Sequence, residues 1–162
     1  MEPVSASVGL VASLATLVEV SIKSYTALSK FIRQMKNAPD NVRELCRKVK
    51  RLEEVLSAVH QFVHHMRDDE LPPNLRSWWE SNMDSITTDL RKLGQRAEQL
   101  NALHAQSASS RSKLSARLKT VGSGDEVARY ERSIESNIKE LDRIRGYLDR
   151  AFQQVSKKVE LR

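Results

Sequence analysis

The chain has 162 residues, of which 30% are charged, with one cysteine and a net charge of +6. This length fits one domain with a sizeable core, and a composition poor in aromatics, glycine and proline is typical of long helices rather than sheets. A single cysteine excludes an internal disulfide and fits a reducing compartment, while the modest basic excess favours anionic partners without identifying one.

The first predicted element is an apolar helix near the N-terminus. Between Val4 and Ile22 the only charged side chain is Glu19, and the helical pattern continues to about Lys36. Such a helix is either buried on all sides in a core or able to enter a bilayer. A signal peptide is disfavoured because Met1-Glu2-Pro3 is acidic and no convincing cleavage site follows. A constitutive transmembrane span is doubtful because the segment is short and carries several serines and threonines.

Small residues recur along this first helix at steps of four. Ser5, Gly9 and Ser13 form one such row, and Ala12 and Thr16 form another. Small residues at this spacing allow two helices to approach closely, both in protein cores and in membranes. We therefore expect a close helix contact along these rows.

Three further helices are predicted along the chain. The second runs from about Asp40 to Met66, with apolar residues at alternating steps of three and four. The third runs from about Leu75 to Leu103 and leads into a serine-rich stretch that is either a frayed helix or a loop. The fourth follows Asp125, which is a plausible N-cap, and its apolar stripe continues to Val159.

The predicted fold class is all-α, because no segment alternates with a period of two. Four long helices with short connections form an antiparallel bundle, in one domain over residues 1–162, with room for a short extra helix near 107–120. The residues expected in its core are Val11, Leu14, Val18, Leu45, Leu52, Leu90, Leu141 and Leu148.

The basic excess is concentrated in the third helix and the serine-rich stretch. Residues 71–120 carry eight basic and four acidic side chains, whereas the rest of the chain is nearly balanced. If this region meets a membrane first, it should favour anionic lipid. The candidate contacts are Arg91, Lys92, Arg96, Arg111, Lys113, Arg117 and Lys119.

No motif points to catalysis or to a cofactor. The sequence has no phosphate-binding glycine loop, nucleophile elbow or paired-cysteine metal spacing, so we predict that it is not an enzyme and binds no cofactor or metal. His60, His64 and Asp68 share one helix face and form at best a weak metal site, for which an ordinary helix surface is the favoured interpretation. Cys46 lies in an apolar stripe and is expected to be buried and inert.

Two other clusters have structural interpretations. Of the adjacent Trp78 and Trp79, one ring is expected in the core and the other at the surface, where a ligand-stacking or membrane-interface role is the less favoured alternative. The basic pairs at 47–48 and 50–51 are followed by Glu53 and Glu54. They are therefore interpreted as a solvated face rather than a phosphate contact, and no nucleic-acid partner is expected.

Several stretches resemble a known family. The opening MEPVSASVGLVASLATLVEVSIKSYTALSKFI, the break NAPDNVREL, the following KRLEEVLSAV and the later ARLKTVGSGDEVARYERSIESNIKELDRI resemble the HeLo-like and SesA-like N-terminal helical domains of fungal NOD-like (STAND) receptors. The resemblance covers nearly the whole chain. No nucleotide-binding module follows these stretches, so the sequence is interpreted as either an excised domain or a stand-alone protein.

The resemblance implies a role in programmed cell death, in heterokaryon incompatibility or fungal immunity. It implies a cytoplasmic bundle that relocates to the plasma membrane on activation, oligomerises there and permeabilises it through the first helix. The inserting residues would be Val8, Gly9, Leu10, Val11, Leu14, Leu17, Val18 and Glu19.

Two alternatives stay open at this point. Glu19 either lines a pore, by analogy with the family, or simply faces solvent or pairs with Lys23 at i+4. The whole domain is either a membrane-targeting executioner or an adaptor that binds a partner bundle or receptor without entering lipid.

Overall fold

The computed structural model describes residues 6–35, 38–67, 71–106 and 125–161. Four α-helices account for nearly all of them: α1 (Ala6–Gln34), α2 (Asp40–His64), α3 (Pro73–Gln106) and α4 (Asp125–Glu160). These described ranges contain no strand. The predicted all-α bundle of four long helices is therefore confirmed. The predicted short helix near 107–120 lies outside the described residues.

The helix boundaries follow local chemistry. Pro39 precedes α2 and provides no side-chain cap, but Asp40 places a carboxylate in the first turn, where it complements the helix dipole. Pro73 begins α3, at a position where a missing backbone N–H costs nothing. Asp125 is the first helical residue of α4 and places a carboxylate in its first turn, so it is not the N-cap that the sequence predicted.

Successive helices alternate in direction, but they are not all neighbours. α1 packs against α2 and α3, and α4 packs against the same two helices, so α1 and α4 occupy opposite corners. Hydrogen bonds link Ser24 to Leu90 and Asn101 to Ala27, so the residue numbers rise together and α1 and α3 run parallel. The ion pair between Arg51 and Asp142 and the ring contact between Phe62 and Phe152 show that α2 and α4 also run parallel.

The core lies along the shared axis of the four helices. Six of the eight predicted core residues are buried, whereas Val11 and Val18 are partly buried and pack against the core from its edge. The α4 stripe is buried as far as Leu148. Beyond it, Phe152 contacts Phe62 in the last turn of α2 and is still 57% exposed. Val159, two turns further along α4, lies past the end of α2 at His64 and is 70% exposed.

Candidate functional site

The N-terminal helix α1 holds its large apolar side chains inside the bundle. Leu10, Leu14 and Leu17 are almost fully buried in the main core cluster. They project on one face because they recur at steps of four and three. These three of the side chains proposed for membrane insertion are thus part of the packing that holds this bundle together.

The opposite face of α1 is exposed and carries no charge over its first three turns. Ala12, Ala15 and Thr16 are exposed, and the first charged residue after them is Glu19. The expectation that α1 is buried on all sides is therefore wrong. The exposed face of α1 carries alanine and other small uncharged residues, so it differs little in polarity from the leucine face. The mean hydropathy of the helix therefore does not reveal that one face is buried and the other exposed.

Gly9 lies under the ring of Trp79. A Cβ atom added to Gly9 would lie 3.9 Å from Trp79 Cη2, which is ordinary van der Waals contact rather than a close approach. Trp79 is partly buried and Trp78 is buried, which confirms the predicted division of the two rings. Val8 belongs to α1, but its side chain lies outside the described residues.

A close approach of α1 to α3 occurs further along, at Ser24 and Gly94. A Cβ atom on Gly94 would lie 3.0 Å from Ser24 Oγ and 3.4 Å from Ser24 Cα. Ser24 Oγ donates a hydrogen bond of 2.7 Å to the Leu90 carbonyl oxygen. The predicted close contact along the row of Ala12 and Thr16 is wrong, since both face outward. In the other row, Gly9 makes only an ordinary contact with Trp79, and Ser5 lies outside the described residues.

Sequence reasoning missed these buried polar contacts between α1 and α3. Asn101 is also buried between these helices, and its Nδ2 donates a hydrogen bond of 3.1 Å to the Ala27 carbonyl oxygen. The available signal was the alignment of Ser21, Ser24 and Leu28 with the leucine face, at helical steps of three and four. Buried polar groups nearly always form hydrogen bonds, so polar residues on the buried face of a helix predict hydrogen bonds to a neighbouring helix.

Glu19 forms an ion pair on the surface of α1. Its carboxylate lies 3.1 Å from Lys23 Nζ, and both side chains are about two-thirds exposed. The predicted pairing at i+4 is confirmed for this bundle. A pair this exposed contributes little to stability, because water screens it.

The candidate lipid contacts that fall within the described chain lie on the outer surface of α3. Arg91, Lys92 and Arg96 are all exposed, within little more than one helical turn. The other four candidates, Arg111, Lys113, Arg117 and Lys119, lie outside the described residues.

The basic cluster of α2 is paired with acidic side chains. Arg47 pairs with Glu44 at 2.6 Å and Lys50 with Glu53 at 3.2 Å, while Lys48 reaches Glu135 of α4 at 3.5 Å. These pairs support the interpretation of a solvated face.

The histidines and the cysteine offer no evident site. The rings of His60 and His64 meet edge to face at 6.0 Å, while Asp68 lies outside the described residues. Among the residues that the structure describes, no group of three potential metal ligands comes together. Cys46 is a buried free thiol, as predicted, and burial raises the pKa of the thiol.

Within the described ranges, no helix combines the length and the apolar character needed to cross a membrane.

Comparison with known proteins gives one match. Residues 1–77, which include α1, α2 and the start of α3, match a family described as the pigment biosynthesis cluster protein PigL N-terminal region. The match points to a helical domain of fungal type. No curated protein and no solved structure gives a significant match to the chain.

Proposed function

We propose that this chain is a cell-death signalling domain related to the HeLo-like domains of fungal NOD-like receptors. In this proposal the bundle is the resting cytoplasmic form, and the activated form oligomerises at the plasma membrane and permeabilises it through α1. The observation that carries the proposal is the uncharged exposed face of α1 at Ala12, Ala15 and Thr16. Exposed helix positions in a bundle ordinarily carry charge, so an uncharged face on an apolar helix suits a second, less polar environment.

The polar residues of α1 suit an oligomer rather than a single inserted helix. Ser13, Thr16 and Glu19 recur at steps of three and so occupy one side of the helix. In lipid, such groups face other helices or a water-filled path, because exposure to hydrocarbon is costly. Several copies of α1 arranged around a pore would satisfy this requirement, with Glu19 toward the water.

The buried position of α1 determines which variants test the mechanism. Leu14 is fully buried, so a lysine there would unfold the bundle as well as block insertion. Deleting residues 1–22 would likewise remove Leu10, Leu14 and Leu17 from the core. Neither change separates insertion from folding.

Ala15→Lys provides the sharper test, because Ala15 is exposed in the bundle. A lysine at the centre of an inserting helix costs about 2.5–3.5 kcal/mol, so leakage from anionic vesicles should fall about 100-fold. Ala128→Lys, at an exposed position of α4, is the matched control and should keep full leakage. Circular dichroism and urea unfolding check that both variants fold. Equal leakage by the folded Ala15→Lys protein and its control would overturn insertion through α1.

A second candidate function is an adaptor that binds a partner helical bundle without entering lipid. The supporting observation is the exposed apolar surface near the end of α4, where Tyr147 and Phe152 are 59% and 57% exposed. Phe152→Arg should then abolish signalling in cells, while Ala15→Lys should leave it intact. The opposite pattern supports the membrane mechanism.

A further inference from the structure

An apolar cavity of about 250 Å³ lies near the end of the bundle where α1 finishes and α4 begins. All four helices contribute to its wall, and Val127 and Tyr130 form the side toward α4. The other apolar lining residues are Leu28, Phe31, Val42, Leu45, Leu93, Ala97 and Leu100.

Residues of two apolar clusters line the cavity. Phe31 and Leu100, with Met35 packed on them, form a small apolar cluster that is separate from the main core cluster. Leu28, Leu45 and other residues of the main core cluster line the same cavity. A pocket with a mostly apolar wall and a few polar groups at its opening is the ordinary form of a site for a small apolar ligand.

The polar groups at the cavity are unequally distributed. Lys92 and Arg96, one turn apart on α3, are both exposed at its edge. The single carboxylate among the lining residues is Glu126, whose Oε1 accepts a 3.5 Å hydrogen bond from the buried Tyr130 hydroxyl. Lys92 and Arg96 are both on α3, whereas Glu126 is on α4 and accepts its hydrogen bond from Tyr130. The α3 side of the edge is therefore positively charged and suits an anion.

We propose that this cavity binds a free, unbranched fatty acid, with its acyl chain among the apolar residues and its carboxylate at Lys92 and Arg96. The inference goes beyond the proposed function, because it concerns the resting bundle and requires neither membrane insertion nor a partner protein. A ligand that contacts all four helices binds the folded bundle and not the unfolded chain. It therefore raises the unfolding temperature, and the rise continues to grow with the logarithm of the ligand concentration after the site is saturated.

The direct test is calorimetric titration of the full chain with dodecanoate below its micelle concentration. Binding should saturate at one molecule per chain. Across shorter chains from hexanoate upward, affinity should rise about fourfold for each added methylene until the cavity is full. Dodecylamine, which has the same chain and the opposite charge, should bind at least tenfold more weakly. No saturable binding, or equal binding of acid and amine, overturns the proposal.

Two pairs of variants locate the ligand. Ala97→Leu fills the cavity from a buried wall position and should abolish binding, whereas Ala102→Leu, at an exposed position of α3, should not change it. Arg96→Glu should weaken dodecanoate binding at least tenfold, whereas Arg91→Glu should not, because Arg91 lines a different groove. Arg96 is exposed, so this second pair remains informative even if Ala97→Leu fails to fold. The assignment is overturned if dodecanoate binds equally well to Arg96→Glu and to a folded Ala97→Leu protein, because the ligand must then lie elsewhere.

Discussion

Trp78 combines an apolar ring with one hydrogen-bond donor, and the bundle provides for both. The ring is 3% exposed, and its Nε1 donates a 2.8 Å hydrogen bond to Asn137 Oδ1 on α4. Asn137 Nδ2 in turn donates to the Ser133 carbonyl oxygen at 2.8 Å. An indole N–H buried without an acceptor would cost more than the hydrogen bond contributes, so the asparagine allows tryptophan at this position.

Replacing Asn137 by leucine should therefore destabilise the bundle by about 1–3 kcal/mol, because the Trp78 N–H loses its acceptor inside the core. Urea unfolding measures the change. Asn82→Leu is the control, since Asn82 bonds only to a carbonyl oxygen of its own helix, and it should cost less than about 0.5 kcal/mol. A double-mutant cycle with Trp78→Phe should show coupling between the two sites, and additive effects would contradict the role given to this hydrogen bond.

At the scale of the helices, the contact between α1 and α3 depends on one glycine. Gly94 lies against the backbone of Ser24, and the same small pair allows the hydrogen bond to the Leu90 carbonyl oxygen. Glycine inside a helix ordinarily lowers stability relative to alanine, so its presence here indicates that close approach outweighs helix propensity. Gly146 of α4 has no such neighbour, since its nearest contact would be the flexible end of Arg150 at 4.0 Å.

The two glycines should respond in opposite directions to alanine. Gly94→Ala should destabilise the bundle by about 1–2 kcal/mol, because overpacking against Ser24 exceeds the gain in helix propensity. Gly146→Ala should stabilise it by about 0.5–1 kcal/mol, because only the propensity changes. Thermal and urea unfolding of both variants measure these changes. A stabilised Gly94→Ala protein would show that the two helices can separate at this point without cost.

The helices differ in how well the sequence predicts which of their residues are buried. The stripe of α2 was predicted almost completely, because the helix has strongly charged residues opposite its apolar ones. The exposed face of α1 was not predicted, since Ala12 and Ala15 have no polarity that would mark them as exterior. The exposure of Phe152 was missed for another reason: an apolar stripe does not show where its neighbouring helix ends.

At the scale of the whole molecule, the basic excess is unevenly distributed along the sequence. The described α3 has four basic side chains and four acidic ones, so the helix itself is balanced. Residues 107–120 carry four basic side chains and no acidic one, and they account for the excess between 71 and 120. Any electrostatic attraction to anionic lipid should therefore depend more on this segment than on Arg91, Lys92 and Arg96.

Replacing all four segment cations by glutamine tests this distribution of charge. The variant carries Arg111→Gln, Lys113→Gln, Arg117→Gln and Lys119→Gln, which lowers the net charge from +6 to +2. Because each engaged cation contributes at most about 1 kcal/mol at an anionic surface, co-sedimentation with anionic vesicles should weaken by up to about three orders of magnitude.

A control with the same net charge separates location from total charge. It replaces four exposed cations of α4, by the changes Arg132→Gln, Lys139→Gln, Arg143→Gln and Arg145→Gln. If the serine-rich segment meets the membrane first, this control should lose much less binding, because it keeps the four cations of that segment and salt screens charges more than about 10 Å from the lipid at 0.1 M. Equal losses in the two variants would mean that only net charge matters. Equal binding of the unmodified protein to neutral and anionic vesicles would exclude electrostatic targeting, and α1 would then have to reach the membrane through its apolar contacts or through a partner.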